Sequence, residues 1–251
     1  ANVHRGFAPF RFTEAIDNSG LVTALEPERS WNSELGIRTP LGRGVTAELT
    51  GFLLLFENQT VSASDTWGRT DEIATGVANG GRTRNAGIES ALRVDLGALG
   101  AGVPLSLGAR YTFTDARFTS DRFYQDGASV VNVNGRQLPY APRHSAFVDA
   151  VLTTARTETQ LVVTAIGRQF GDRRNLAAGS ADGQTGAIPA YALVDVTSSV
   201  ALPRALARGS GASVLLAVRN ALDSDAIVTR RPQGIRVAPP RQVMLGIRLG
   251  D

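Results

Sequence analysis

The chain has no cysteine, no lysine and no long apolar run. Without cysteine there are no disulfides and no thiolate metal sites, and redox chemistry says nothing about the compartment. All 26 basic residues are arginine, against 23 acidic ones, for a net charge of +3. Arginine is the better bidentate partner for carboxylate and phosphate, although genomic base bias gives the same composition. The longest aliphatic run, Leu53-Leu-Leu-Phe56, is far short of the about 18 residues a membrane helix needs. The two histidines, His4 and His144, stand far apart in sequence, with no partner at metal-ligand spacing. There is no Gly-x-Ser-x-Gly elbow, and residues 97–102, rich in glycine but without lysine, read as a tight turn rather than a phosphate loop. Asn58-Gln-Thr60 fits a glycosylation sequon that is common by chance. No enzyme, no cofactor and no nucleic-acid partner is expected.

What is present is alternation. In the last segment Val243, Leu245, Ile247 and Leu249 alternate with Gln242, Met244, Gly246 and Arg248, the period of two that marks a strand with unlike faces. The pattern recurs in about ten segments. One face is aliphatic, and the other carries Glu34, Arg38, Glu48, Glu89, Arg93, Asp95, Arg110, Arg168, Asp195, Arg219 and Arg248. The segment over residues 145–154 leaves its faces undecided, because Phe147 and Asp149 fall together. Short turns are expected at residues 40–44, 97–102 and 155–157 and around Pro203 and Gly209. Long polar loops without structure of their own are expected over residues 8–26, 58–81, 115–142, 171–188 and 223–240.

Two folds share such a pattern. A soluble β-sandwich buries the aliphatic face; a membrane barrel turns it to lipid and the polar face to a wet lumen. The segments run to about ten or more residues, the length a tilted strand needs to cross a bilayer. Short and long connections alternate strictly, as in barrels with long outer loops. The expected fold is therefore all-β: a transmembrane antiparallel up-and-down β-barrel. Aromatics are only 6%, so its girdles would be thin, with Trp31, Tyr111, Phe113 and Tyr191 as candidates.

Several segments carry a family resemblance. They are Ala1-Asn-Val-His-Arg-Gly-Phe-Ala-Pro9, Glu26-Pro-Glu-Arg-Ser-Trp-Asn-Ser-Glu-Leu-Gly-Ile-Arg38, the exit Glu57-Asn-Gln59, Asn85-Ala-Gly-Ile-Glu89, Leu138-Pro-Tyr-Ala-Pro-Arg-His144, Val218-Arg-Asn-Ala-Leu-Asp223 and Pro239-Pro-Arg-Gln242. In this order they resemble the C-terminal part of a TonB-dependent outer-membrane receptor barrel of the ferric dicitrate and siderophore group. The resemblance implies that residues 1–251 supply about ten strands of a roughly 22-stranded barrel, with the plug domain lying outside this chain. It also implies a multi-pass protein of the bacterial outer membrane that takes up an anionic ferric chelate by energy coupling. Its partners would be that chelate, outer-membrane lipid and lipopolysaccharide, and the TonB complex acting through the missing N-terminal part. Iron would arrive as cargo within the chelate. The alternatives are a self-contained ten-stranded barrel serving as pore, adhesin or surface enzyme, and a soluble sandwich module.

The long connections and their edges hold the functional candidates: Arg82, Arg84, Arg117, Arg122, Arg173, Arg174, Arg230, Arg231 and Arg236, with Asn79 a further loop candidate. All would share one rim, where clustered guanidiniums attract anions and grip carboxylates. The plainer reading has them meet lipopolysaccharide phosphate or keep the surface soluble.

Overall fold

Segments of period two joined by short turns pair with their sequence neighbours, and that is what the chain does. In a computed structural model that describes residues 1–9, 25–62, 77–126, 129–203, 211–231 and 234–250, strands and turns account for all regular structure, with no helix among the described residues. In chain order the strands are β1 (Asn2–Ala8), β2 (Glu28–Gly42), β3 (Val45–Glu57), β4 (Thr60–Ser62), β5 (Val77–Asn79), β6 (Thr83–Asp95), β7 (Leu105–Phe118), β8 (Phe123–Asp126) and β9 (Ser129–Asn132). There follow β10 (His144–Thr153), β11 (Thr157–Ile166), β12 (Gln169–Phe170), β13 (Ala187–Ile188), β14 (Tyr191–Ala201), β15 (Gly211–Arg219), β16 (Ile227–Arg231), β17 (Gly234–Val237) and β18 (Gln242–Gly250).

Ten of these form one antiparallel meander in the order β1-β2-β3-β6-β7-β10-β11-β14-β15-β18. The sheet is open: β1 and β18 are its edges and do not pair with each other. The ten expected segments correspond to these ten strands. The other eight strands make four small hairpins, β4–β5, β8–β9, β12–β13 and β16–β17. They correct the expectation of structureless loops. Each stands on a long connection at one end of the sheet, and their alternation is too brief to stand out in a helix-length window.

Three further boundaries differ from the sequence reading. Strand β7 continues past residue 115 to Phe118, pairing Asp115 with Ala86 and Arg117 with Arg84. Strand β2 runs to Gly42, with a bulge between Pro40 and Gly42 that accommodates a proline lacking an N–H donor. Only Arg43 and Gly44 are left as the turn, Gly44 at φ 69°. Arg168 lies beyond the end of β11, with its guanidinium carbon 5.5 Å from the Phe170 ring centroid. Gly209 lies outside the described residues.

The register settles the faces. One row runs Leu92, Ala109, Val148, Val163, Val194, and the next runs Leu107, Ala150, Leu161, Val196, Val218, Val243. This places Val148 and Ala150 on the aliphatic face and Phe147 and Asp149 opposite. The apolar face is exposed: Leu35, Ile37, Leu245, Ile247 and Leu249 are all more than half accessible. A soluble sandwich requires a second sheet over such a face, and none covers it among the described residues. Buried apolar side chains, among them Phe118, Val133 and Ile188, gather instead at the long-connection end.

Among the described residues of the aliphatic face, arginine and acidic side chains occur only near the long connections: Arg5, Arg29, Glu57, Arg84, Asp115 and Arg117. Below them, residues 86–94 of β6 match the about nine to eleven residues a tilted strand uses to cross a bilayer.

Candidate functional site

The ten candidate residues do all lie at the long-connection end, but they divide into four settings. Arg173 and Arg230 line a cavity of about 470 Å³ among the long connections, together with Tyr124, Tyr140, Asp172 and Gln184. The β8–β9, β12–β13 and β16–β17 segments meet here. Tyr140 ties them together: its backbone N–H donates to Phe170 O at 2.9 Å, and its hydroxyl donates to Arg230 O. Arg230 is 8% exposed. Its Nε donates to Ala187 O at 3.0 Å and its Nη1 to Gly183 O at 3.1 Å, so it pins the β12–β13 loop to β16. No carboxylate pairs with it among the described residues. Its guanidinium is held by backbone carbonyls and lines the cavity.

Arg173 and Arg174 flank Tyr124, their guanidinium carbons 5.9 and 6.0 Å from its ring centroid, within cation–π range. Asp172 organises this loop: one carboxylate oxygen accepts from Arg174 N and the other from Gly186 N, each at 2.8 Å. Its Oδ1 also lies 3.5 Å from Arg174 Nε. The cavity wall therefore presents Arg173 and Arg230 against one carboxylate already engaged by backbone donors.

Arg84 and Arg117 are on the other side of the wall. They share the parity of Ile88 and Phe113 on the aliphatic face and converge on Asp115 at 2.7 Å each. The remaining candidates hold structure or solvent positions. Arg122 is 6% exposed and lies 5.3 Å over the Phe118 ring. Asn79 clamps two loops, with Nδ2 on Glu26 O at 2.9 Å and Asn58 O at 3.0 Å, and Oδ1 accepting from Glu26 N at 2.8 Å. Arg82 and Arg236 are exposed. Arg231 ends β16, and its side chain lies outside the described residues.

Sequence reasoning missed Tyr124, Tyr140 and Asp172 in the cavity. Two tyrosines facing one cavity come from a connection taken for an unstructured loop, so no periodicity marked them.

Two loop carboxylates have lowered pKa values. Asp121 is held down by hydrogen bonds from Asn132 Nδ2 first and then Asn134 Nδ2, each at 2.9 Å. Asp182 is held down by the Ser180 hydroxyl first and then the Gln184 backbone N–H.

The polar face below has its own structure. Arg38 Nε lies 2.8 Å from Glu48 Oε1. Arg93, Arg110 and Asp149 join them around a cavity of about 280 Å³. The Asp149 carboxylate fills the space where a side chain at Gly108 would stand. Arg110 lies 5.4 Å over the Phe147 ring. This is an ion-paired wall with charges of both signs, suited to a wet lumen.

Comparison with known proteins agrees with the fold. The ferric citrate transporter FecA, solved unliganded, is 26% identical with a TM-score of 0.67, over 88% of this chain and 31% of that one. The ferric yersiniabactin uptake receptor FyuA of Yersinia pestis is 18% identical with a TM-score of 0.66, over 98% of this chain and 34% of that one. The copper transporter OprC is 14% identical with a TM-score of 0.70, over 98% and 35%. The chain thus spans about a third of the length of these structures. The sequence model of the TonB dependent receptor-like, beta-barrel family matches residues 1–221, and the chain belongs to that family.

Proposed function

We propose that this chain supplies barrel wall and outer rim to a bacterial outer-membrane receptor that binds an anionic ferric chelate of the citrate or siderophore kind. Uptake would be energy-coupled through the TonB complex, which acts on parts of the receptor beyond this chain. The observation that carries the ligand reading is the 470 Å³ cavity at the long-connection end, with Arg173 and Arg230 on its wall and two tyrosines beside them. Guanidinium donors grip carboxylate oxygens, tyrosine rings supply flat contact area, and the volume lies in the range of about 300–1,000 Å³ typical of ligand pockets. The similarity to the ferric citrate transporter favours a carboxylate-rich chelate. Exposed Arg82 and Arg236 extend the positive field over the same end. Two other candidates, Arg84 and Arg117, face away from this cavity and are assigned no ligand contact.

The test is binding to the receptor purified from native membranes. Ferric dicitrate is expected to quench tyrosine and tryptophan fluorescence saturably, and an uncharged ferric chelate is not. Arg173→Gln is expected to weaken ferric dicitrate binding about tenfold, the cost of one charge-assisted contact. Equal binding of charged and uncharged chelates, or an Arg173→Gln protein with unchanged affinity, removes the reading. For energy coupling, dissipating the proton gradient is expected to stop uptake of radiolabelled iron by cells while leaving surface binding intact.

A further inference from the structure

The aliphatic face is not smooth. Small residues interrupt the larger ones on three strands: Ser33 on β2 and Ala86 on β6 stand either side of Leu53, and Gly51 on β3 stands one row below, between Leu35 and Ile88. They leave a groove of about 700 Å³ whose lining also includes Val3 and Asp115. At Asp115 the groove runs into charge. Asp115 Oδ2 accepts from Arg84 Nη2 at 2.7 Å, Oδ1 accepts from Arg117 Nε at 2.7 Å, and Arg143 Nη2 stands 3.6 Å from Oδ1. Three guanidiniums share one carboxylate, an excess of two positive charges. Arg84 Nε is buried with no acceptor, so the cluster holds more donors than its single carboxylate satisfies. Arg5, lying 5.6 Å over the Trp31 ring, shares the row of Arg84 and Arg117.

We propose that this groove and cluster form a site for one anionic lipid, with an acyl chain lying over Gly51 and Ala86 and a phosphate seated on Arg84, Arg117 and Arg143, the cluster around Asp115 that pairs with Ala86 across the strands. The chemistry fixes both halves. An apolar trough on a face that meets lipid accepts hydrocarbon. An uncompensated guanidinium cluster at its outer end, where this face turns from apolar to charged, accepts phosphate in bidentate fashion. Among the described residues, no other arginine or acidic residue lies lower on this face to hold a headgroup. The proposal needs only that the aliphatic face meets lipid and is independent of the chelate reading. Loss of ferric dicitrate binding therefore leaves it standing.

The test uses the receptor purified from native membranes in mild detergent, with bound lipid counted by native mass spectrometry. Phosphatidylglycerol and phosphatidylcholine of identical acyl chains are titrated in turn. One phosphatidylglycerol is expected to be retained per protein at concentrations where phosphatidylcholine is lost. The double variant Arg84→Gln/Arg117→Gln is expected to weaken that retention by tenfold or more. Asp115→Asn, which removes the competing carboxylate, is expected to strengthen it. This outcome separates a lipid site from a merely structural ion pair, whose loss would not improve binding. Gly51→Leu fills the trough without touching the charges. A Cβ there meets nothing nearer than Leu35 O at 4.0 Å, so the larger side chain is expected to be tolerated by the fold and to displace the lipid. If the arginine variants do not fold, the Gly51→Leu result decides alone. Equal retention of both lipids, or full retention by Gly51→Leu, overturns the proposal.

Discussion

The two faces of the ten-stranded sheet are built from alternate residues of the same strands, yet they follow different rules. Away from the groove at Gly51, the outer face repeats one class: Val148, Leu161, Val163, Val194, Leu216 and Leu245 are all aliphatic and share one side of the sheet. The inner face is pairwise. Arg38 answers Glu48, Asp149 occupies the space left by Gly108, and Arg110 covers Phe147. Lipid makes a uniform demand, whereas water and a passing solute make local ones. An outer residue should therefore respond to a change of class and an inner residue to a change of shape or partner.

The sharpest way to break this contrast is to place one charge on adjacent residues of β11. Val163 lies on the outer face between Val148 and Val194, and Val162 lies on the inner face between Asp149 and Asp195. Val163→Arg is expected to destabilise the protein by about 2–4 kcal/mol, the cost of arginine near the bilayer midplane. Val162→Arg, set between two carboxylates, is expected to cost less than about 1 kcal/mol. Denaturant unfolding in lipid vesicles measures both. Equal costs would mean that the aliphatic face does not meet lipid.

Glycine gives the converse test, in which the inner face is the sensitive one. A Cβ at Gly87 would collide with the Phe113 carbonyl oxygen and the Phe52 ring, while one at Gly51 stands in open space. Gly87→Ala is expected to cost about 1–3 kcal/mol, as overpacking does. Gly51→Ala is expected to be neutral within about 0.5 kcal/mol. The same unfolding assay reads both, and a costly Gly51→Ala would show that the outer face is also shape-specific.

This division explains what was readable in the sequence. The outer face is legible because alternation of chemical class is all it needs: the ten strands, their order and the barrel wall followed from residues such as Val243, Leu245, Ile247 and Leu249. Strand parity puts Arg84 on the face of Ile88, so its place outside the cavity was available from period two alone; Arg117 fell in a connection expected over residues 115–142, and only the longer β7 carries it to that face. The cavity was not. Tyr124, Tyr140, Asp172 and Arg230 come together through turns and carbonyl contacts between hairpins distant in sequence, and no local pattern encodes those contacts. Hairpins as short as β12 and β13 are too brief for periodicity to register.

Ion pairs on the two faces offer a smaller contrast. Arg38–Glu48 on the inner face is a well-exposed pair, 76% and 41% accessible, and Arg84–Asp115 on the outer face is less so, at 42% and 20%. Water screens the first and the membrane boundary shields the second. A double-mutant cycle on Arg38 and Glu48 is expected to give about 0.2–0.5 kcal/mol. The cycle on Arg84 and Asp115 is expected to give the larger coupling and to lose less of it at high salt. Identical salt dependence would put both pairs in the same solvent.

The smallest expected effect concerns acid, and it separates the loop layer from both faces. Asp121 has a lowered pKa because Asn132 and Asn134 donate to its carboxylate, and Asp182 likewise through Ser180 and Gln184. A carboxylate depressed in the folded state contributes stability that is complete above its unfolded pKa of about 3.9 and is lost as the pH falls through the lower folded value. Both groups are fully exposed, so the contribution is local. Backbone amide exchange at Asn134 and Gln184 is therefore expected to be unchanged, after correction for intrinsic rates, from neutral pH down to about pH 4, and to accelerate below it. Exchange in β6 and β7 is expected to stay protected across the same range. Asp121→Asn is expected to abolish the pH step at Asn134 while leaving the one at Gln184, because the two carboxylates sit in separate loops with separate donors. If β6, β7 and both loops open together, acid acts on the sheet as a whole, and the loop carboxylates do not organise the segments that line the cavity.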